Sequence, residues 1–96
     1  MMKEKLAQLR ELMTNHWTSR AYARDKNGME TGVDGPDACK WCLFGALLKI
    51  RDNELLELVV RECKTRYRFT PEYLNDKCGQ ESVLNLIKEL EEHVEN

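Results

Sequence analysis

Four cysteines offer the most chemistry in this chain: Cys39, Cys42, Cys63 and Cys78. The three-residue spacing of Cys39 and Cys42 sets two thiols on one face of a helix, one turn apart. If that helix and the next run antiparallel, Cys63 and Cys78 fall at the same end. Four thiolates then make a sufficient tetrahedral set for zinc. Zinc ribbons, however, hold Cys-x-x-Cys on a knuckle, and an unpaired cysteine is often buried simply as a small apolar side chain. Structural thiols, with no cofactor, are therefore the leading reading. Zinc on Cys39, Cys42, Cys63 and Cys78 is the alternative. A redox dithiol comes last, because it wants a strand of a parallel sheet feeding the Cys-x-x-Cys helix.

A second group lies in the extended stretch after Trp17. Arg20, Tyr22 and Arg24 project from one side of a strand, with Asp25 at the turn that follows. Two guanidiniums flanking an aromatic ring suit a phosphate and a stacked base. The plainer reading is a solvated strand face. Asn75 and Asp76 lie far along the chain, and two roles are open to them. They pair with Arg24 and Asp25 as a clasp, or they complete a small site in which Asp25 or Asp76 is a general base. Arg66 joins the candidates from the basic run Arg61–Arg68, whose place at a helix end already gives its cations a structural reason. The acidic tail of Glu89, Glu91, Glu92 and Glu95 mirrors that run, so a second copy of the chain is a candidate partner. Trp17 and Trp41 read as core. His16 and His93 have no partner in sequence, and no catalytic triad, phosphate loop or His-rich zinc motif is visible.

These residues need elements to position them. Met2, Leu6, Leu9 and Met13 recur at spacings of four, three and four, which predicts an amphipathic helix over 2–14. Alternation from Trp17 and the turn residues Asp25-Lys26-Asn27-Gly28 predict a β-hairpin over 17–33. Asp34-Gly35-Pro36-Asp37 resembles a helix start, and the apolar residues that follow predict a central helix over 36–50. A helix over 54–67, a loop over 68–79 and a last helix over 80–94 complete the chain. The expected fold is α+β, mainly α: an N-terminal helix, a short hairpin, then three helices packed around the central apolar one, in one domain spanning 1–96.

The composition agrees with a globular chain: 42% hydrophobic, 33% charged, 5 Gly and 2 Pro among 96 residues. A net charge of -2 argues against generic binding to duplex DNA. Charged residues interrupt the first segment, so no secretory leader is expected. The longest apolar run, Leu43–Leu48, is too short to span a membrane. A cytoplasmic location is the expectation.

The order of landmarks resembles a family of uncharacterised bacterial and phage proteins, a domain of unknown function. The resemblance rests on Ala21-Tyr22-Ala23-Arg24-Asp25-Lys26-Asn27-Gly28, then Trp41-Cys42-Leu43-Phe44-Gly45-Ala46-Leu47, then Asn75-Asp76. The segment after Asn75-Asp76 is shorter than that pattern has it. The resemblance implies a fold and a phage or mobile-element setting, but no activity. The function expected is a small non-catalytic binding or adaptor protein, acting on a protein partner or an anionic, nucleotide-like ligand through Arg20, Tyr22, Arg24, Asp25, Arg66, Asn75 and Asp76. A small enzyme and a zinc-stabilised module are the alternatives.

Overall fold

A computed structural model describes residues 2–94. Helix α1 spans Met2–Asn15 and buries Leu6, Leu9 and Met13, the stripe that its periodicity predicts. Its end is closed from far along the chain. The Gln80 side-chain amide donates to the carbonyls of Met13 (2.9 Å) and Thr14 (3.3 Å), two groups with no partner inside the helix.

The expected hairpin is only partly present. Its turn forms: the Asp25 N–H donates to Met29 O, and the Gly28 N–H to Asp25 O. The return segment, however, makes a lone bridge, Glu30 to Arg24. Strand β1 (Ala23–Arg24) instead pairs antiparallel with β2 (Lys40–Trp41), Ala23 opposite Trp41 and Arg24 opposite Lys40. Trp17 bridges to the far side of β2. Four short extended pieces thus lie side by side, with residue 17 and residue 30 outermost.

Strand β2 falls where a helix over 36–50 was expected. Helix α2 is shorter, Leu43–Ile50. The cap-like Asp34-Gly35-Pro36-Asp37 starts no helix; Gly32 to Ala38 makes isolated turns instead. Tertiary pairing outweighs the local signal. The N–H groups of Cys39 and Trp41 go to Arg24 O (2.9 Å) and His16 O (2.7 Å). The extended backbone buries the Trp41 ring, whose Nε1–H donates to Val33 O at 3.0 Å. Lys49 Nζ lies 4.6 Å from the ring centroid, a cation–π contact.

Helix α3 (Asn53–Glu62) is capped by Asp52 and widens into a π-helical turn over Cys63–Tyr67, ending at Arg68 with φ 61°. Residues 68–79 are not a loop. Thr70 caps a single turn, α4 (Pro71–Tyr73), which runs into a second π-helical turn over Leu74–Cys78. Helix α5 (Gln80–His93) returns along α1. Helix α2, apolar on several sides, touches α1, α3, α4 and β2, so it holds the middle of the fold. The core gathers Leu6, Leu9, Met13, Leu43, Leu47, Leu55, Val59, Leu86 and Ile87.

Candidate functional site

Asn75 lies wholly buried in the second π-helical turn and joins three segments. Its Oδ1 accepts from Trp17 Nε1 (2.7 Å) and from the Leu43 N–H (3.0 Å). Its Nδ2 donates to Thr18 O and to Asp76 Oδ1, both at 3.0 Å. A side-chain amide has two donors and an oxygen with two lone pairs, so its whole capacity is used. The partners also fix which amide atom is which: two can only donate, and two can only accept here. The Leu43 N–H is one of the orphan donors at the start of α2, so Asn75 ties down that helix end.

The same helix start explains the residues around it. Cys42 is the N-cap, and its Sγ accepts from the Gly45 N–H at 3.2 Å. Gly45 is required by close approach, since a Cβ there would sit 2.0 Å from Tyr22 O. Burial pushes the Cys42 thiol up, and the carboxylates of Asp76 and Glu72 push it further, against the N–H groups of Gly45 and Phe44. A thiol held protonated is a poor nucleophile and a poor metal ligand.

Asp76 extends the clasp outward. Its Oδ1 also accepts from the N–H of Arg20 at 2.8 Å. Arg20 has φ 65°, the left-handed region that costs about 1 kcal/mol for a residue with a side chain. This bond helps hold the turn that presents residues 20–22. Beside it opens a cleft of about 430 Å³, lined by Arg20, Tyr22, Glu30, Glu72 and Asp76, with Cys42 in its wall. Tyr22 is 50% exposed and rests against Phe44, ring centroids 5.8 Å apart. Three carboxylates and one guanidinium line the space. Among the described residues, none of these four groups forms an ion pair within 4.0 Å.

Of the seven residues singled out for ligand binding, the cleft brings together Arg20, Tyr22 and Asp76. Asn75 lies buried behind them as a clasp. Arg24 and Asp25 organise the turn: Arg24 donates to Gly28 O and Ser19 O, and Asp25 Oδ1 accepts from the N–H groups of Asn27 and Met29. The clasp on Asn75 and Asp76 is therefore made by Trp17, Thr18, Arg20 and Leu43, not by Arg24 and Asp25. Asp25 and Asp76 line different clefts, so they do not form a carboxylate pair. Arg66 lies elsewhere, paired with Glu62 and Glu89, and Glu89 also accepts from Tyr67 OH at 2.7 Å. Two of the acidic residues of α5 thus find cations within the chain, Glu89 pairing with Arg66 and Glu91 with Arg10.

The cysteines are dispersed in role. Cys39 is half-buried beside β2, and Cys42 caps α2 instead of sharing a helix face with it. Cys63 is fully buried in the core, and Cys78 is exposed. Among the described residues, no three His, Cys, Asp or Glu side chains lie close enough to hold a metal ion together. Burial pushes the Cys63 thiol up to about 12. Glu30 and Glu72 line the cleft and belong to no motif in the sequence; each is a lone glutamate with no charged residue next to it.

No known protein family, curated protein or solved structure matches this chain.

Proposed function

We propose that this chain is a small non-catalytic binding protein that engages a protein partner through the cleft between residues 20–22 and Glu72–Asp76. One observation carries the reading: the groups best suited to chemistry are used up by the fold, and what remains faces solvent in a concave, charged space. Asn75 has no bonding capacity to spare. Asp25 holds a turn. The Cys42 thiol caps a helix and is held protonated. Of the three arginines considered for an anion, Arg24 and Arg66 have partners within the chain, which leaves Arg20 among three carboxylates. That balance favours the protein-partner reading over an anionic ligand.

A photo-crosslinking amino acid placed at position 22, compared with the same label at exposed position 64, tests this in cells that make the protein. Discrete adducts from position 22 alone are expected, read by mass spectrometry. Identical adducts from both positions, or none from position 22, would overturn the reading.

A further inference from the structure

We infer that the occupant of this cleft is a basic side chain, a lysine ammonium or arginine guanidinium presented by the partner. The inference rests on the binding reading above and names the chemistry of the group bound. Glu30, from the segment that follows the turn, and Glu72 and Asp76, from the continuous helical stretch of α4 and the second π-helical turn, line one space with a single guanidinium, that of Arg20. The wall therefore carries a surplus of two negative charges. Inside a concave, partly desolvated wall, such a surplus attracts a cation more strongly than on an open surface.

The carboxylates are too dispersed for a metal ion, because among the described residues no three His, Cys, Asp or Glu side chains could share one. A long organic cation has no such need for convergence. It can bond one carboxylate while its methylene stem lies along another wall. That second wall exists. The half-exposed Tyr22 ring, propped by Phe44, is an aromatic surface beside the acids. An aromatic ring next to carboxylates is complementary to ammonium and guanidinium groups, and it does nothing for a hydrated metal ion. The volume, about 430 Å³, exceeds one side chain and has room for the residues flanking it. This makes the natural occupant a short basic segment and not a free small cation.

The test is a titration of the whole, isotope-labelled protein, followed by NMR. The probes are acetyl-Gly-Lys-Gly-amide, its arginine counterpart, its neutral norleucine counterpart and inorganic phosphate. The lysine or arginine peptide is expected to shift the amides of Tyr22, Glu30 and Glu72, and binding should weaken as salt rises from about 20 to about 200 mM. The double variant Glu30→Gln/Glu72→Gln should weaken that binding at least about fivefold while leaving the thermal midpoint unchanged. Among the described residues, neither glutamate side chain makes a hydrogen bond that the fold depends on, so the variant keeps the test open. Equal shifts from the norleucine peptide, shifts from phosphate alone, or no shift from either basic peptide would each overturn the inference. If position 22 still crosslinks to a partner in that case, the binding reading stands and only the cation assignment falls. If both measurements fail, both fall.

Discussion

At the scale of single residues, Asn75 carries the most consequence. Four groups depend on it: Trp17 Nε1–H, the Leu43 N–H, Thr18 O and one carboxylate oxygen of Asp76. Leaving a buried donor or acceptor unpaired costs about 1–3 kcal/mol each. Asn75→Ala strands at least two of them, so a loss of about 3 kcal/mol or more is expected in urea unfolding. The near-isosteric Asn75→Asp should be no gentler, because it sets an oxygen against Thr18 O and Asp76. A loss under about 1 kcal/mol for either variant would show that the clasp is not load-sharing. Gly45→Ala makes a related point. Alanine favours a helix interior by about 1 kcal/mol over glycine, yet here its Cβ would meet Tyr22 O at 2.0 Å. Net destabilisation is expected in a thermal melt, and a stabilised variant would contradict the close approach. The sequence singled out Asn75 and Asp76 as clasp or site without deciding between them. It could not name their partners, because Trp17, Thr18, Arg20 and Leu43 meet them only in the folded chain. Glu30 and Glu72 escaped notice for the same reason: nothing distinguishes a lone glutamate until folding puts it beside an aromatic ring.

At the scale of elements, what could be read depended on whether local pattern and tertiary demand agreed. The stripes of α1, α3 and α5 have helical periodicity and bury most of the residues it selects, while Val60 of α3 stays exposed. The stretch 36–42 carried a strong local helix start, and β1 and His16 overrode it by taking the backbone N–H groups of Cys39 and Trp41. The helix begins six residues past Asp37, where Cys42 can cap it and Asn75 can satisfy Leu43. This gives Cys42 a structural role that can be tested. Cys42→Ala removes the cap acceptor and should cost about 1 kcal/mol, while Cys42→Ser, which keeps an acceptor at that position, should recover most of the loss. Equal losses for both, measured by chemical unfolding, would mean that the sulfur matters for packing and not for the cap. Segment 68–79 read as a loop that could start a brief helical turn at Thr70-Pro71-Glu72, because Asn75-Asp76-Lys77-Cys78-Gly79 is loop-like in composition. Its two short helical turns exist because Thr70 caps the first and the buried Leu74 and Asn75 anchor the second.

At the scale of the whole molecule, closure comes from the chain's two end helices. Helix α5 lies along α1, Gln80 closes the end of α1, and Arg10 pairs with Glu91. The radius of gyration, 12.4 Å, agrees with about 12.5 Å for a compact chain of this length. Past the end of α3, Cys63 is fully buried and Tyr67 half-buried with its hydroxyl against Glu89 of α5, and this has a consequence in alkali. Burial pushes both groups up to about 12, from ordinary values of 9.0 and 10.0, and Glu89 adds to the effect on Tyr67. A raised value means that the folded chain keeps its proton where the unfolded chain has lost it. Stability from Cys63 is therefore full below about pH 9 and drains away as the pH climbs toward 12; for Tyr67 the decline starts near 10. Urea midpoints measured from pH 8 to 11 should fall steadily. Cys63→Ala should be less stable than the parent at pH 8, through its lost packing, yet show a shallower decline, so the gap between the two narrows as pH rises. Parallel curves for parent and variant would mean that Cys63 ionises as freely in the fold as in the open chain, and the sealed end of α3 would have to be abandoned.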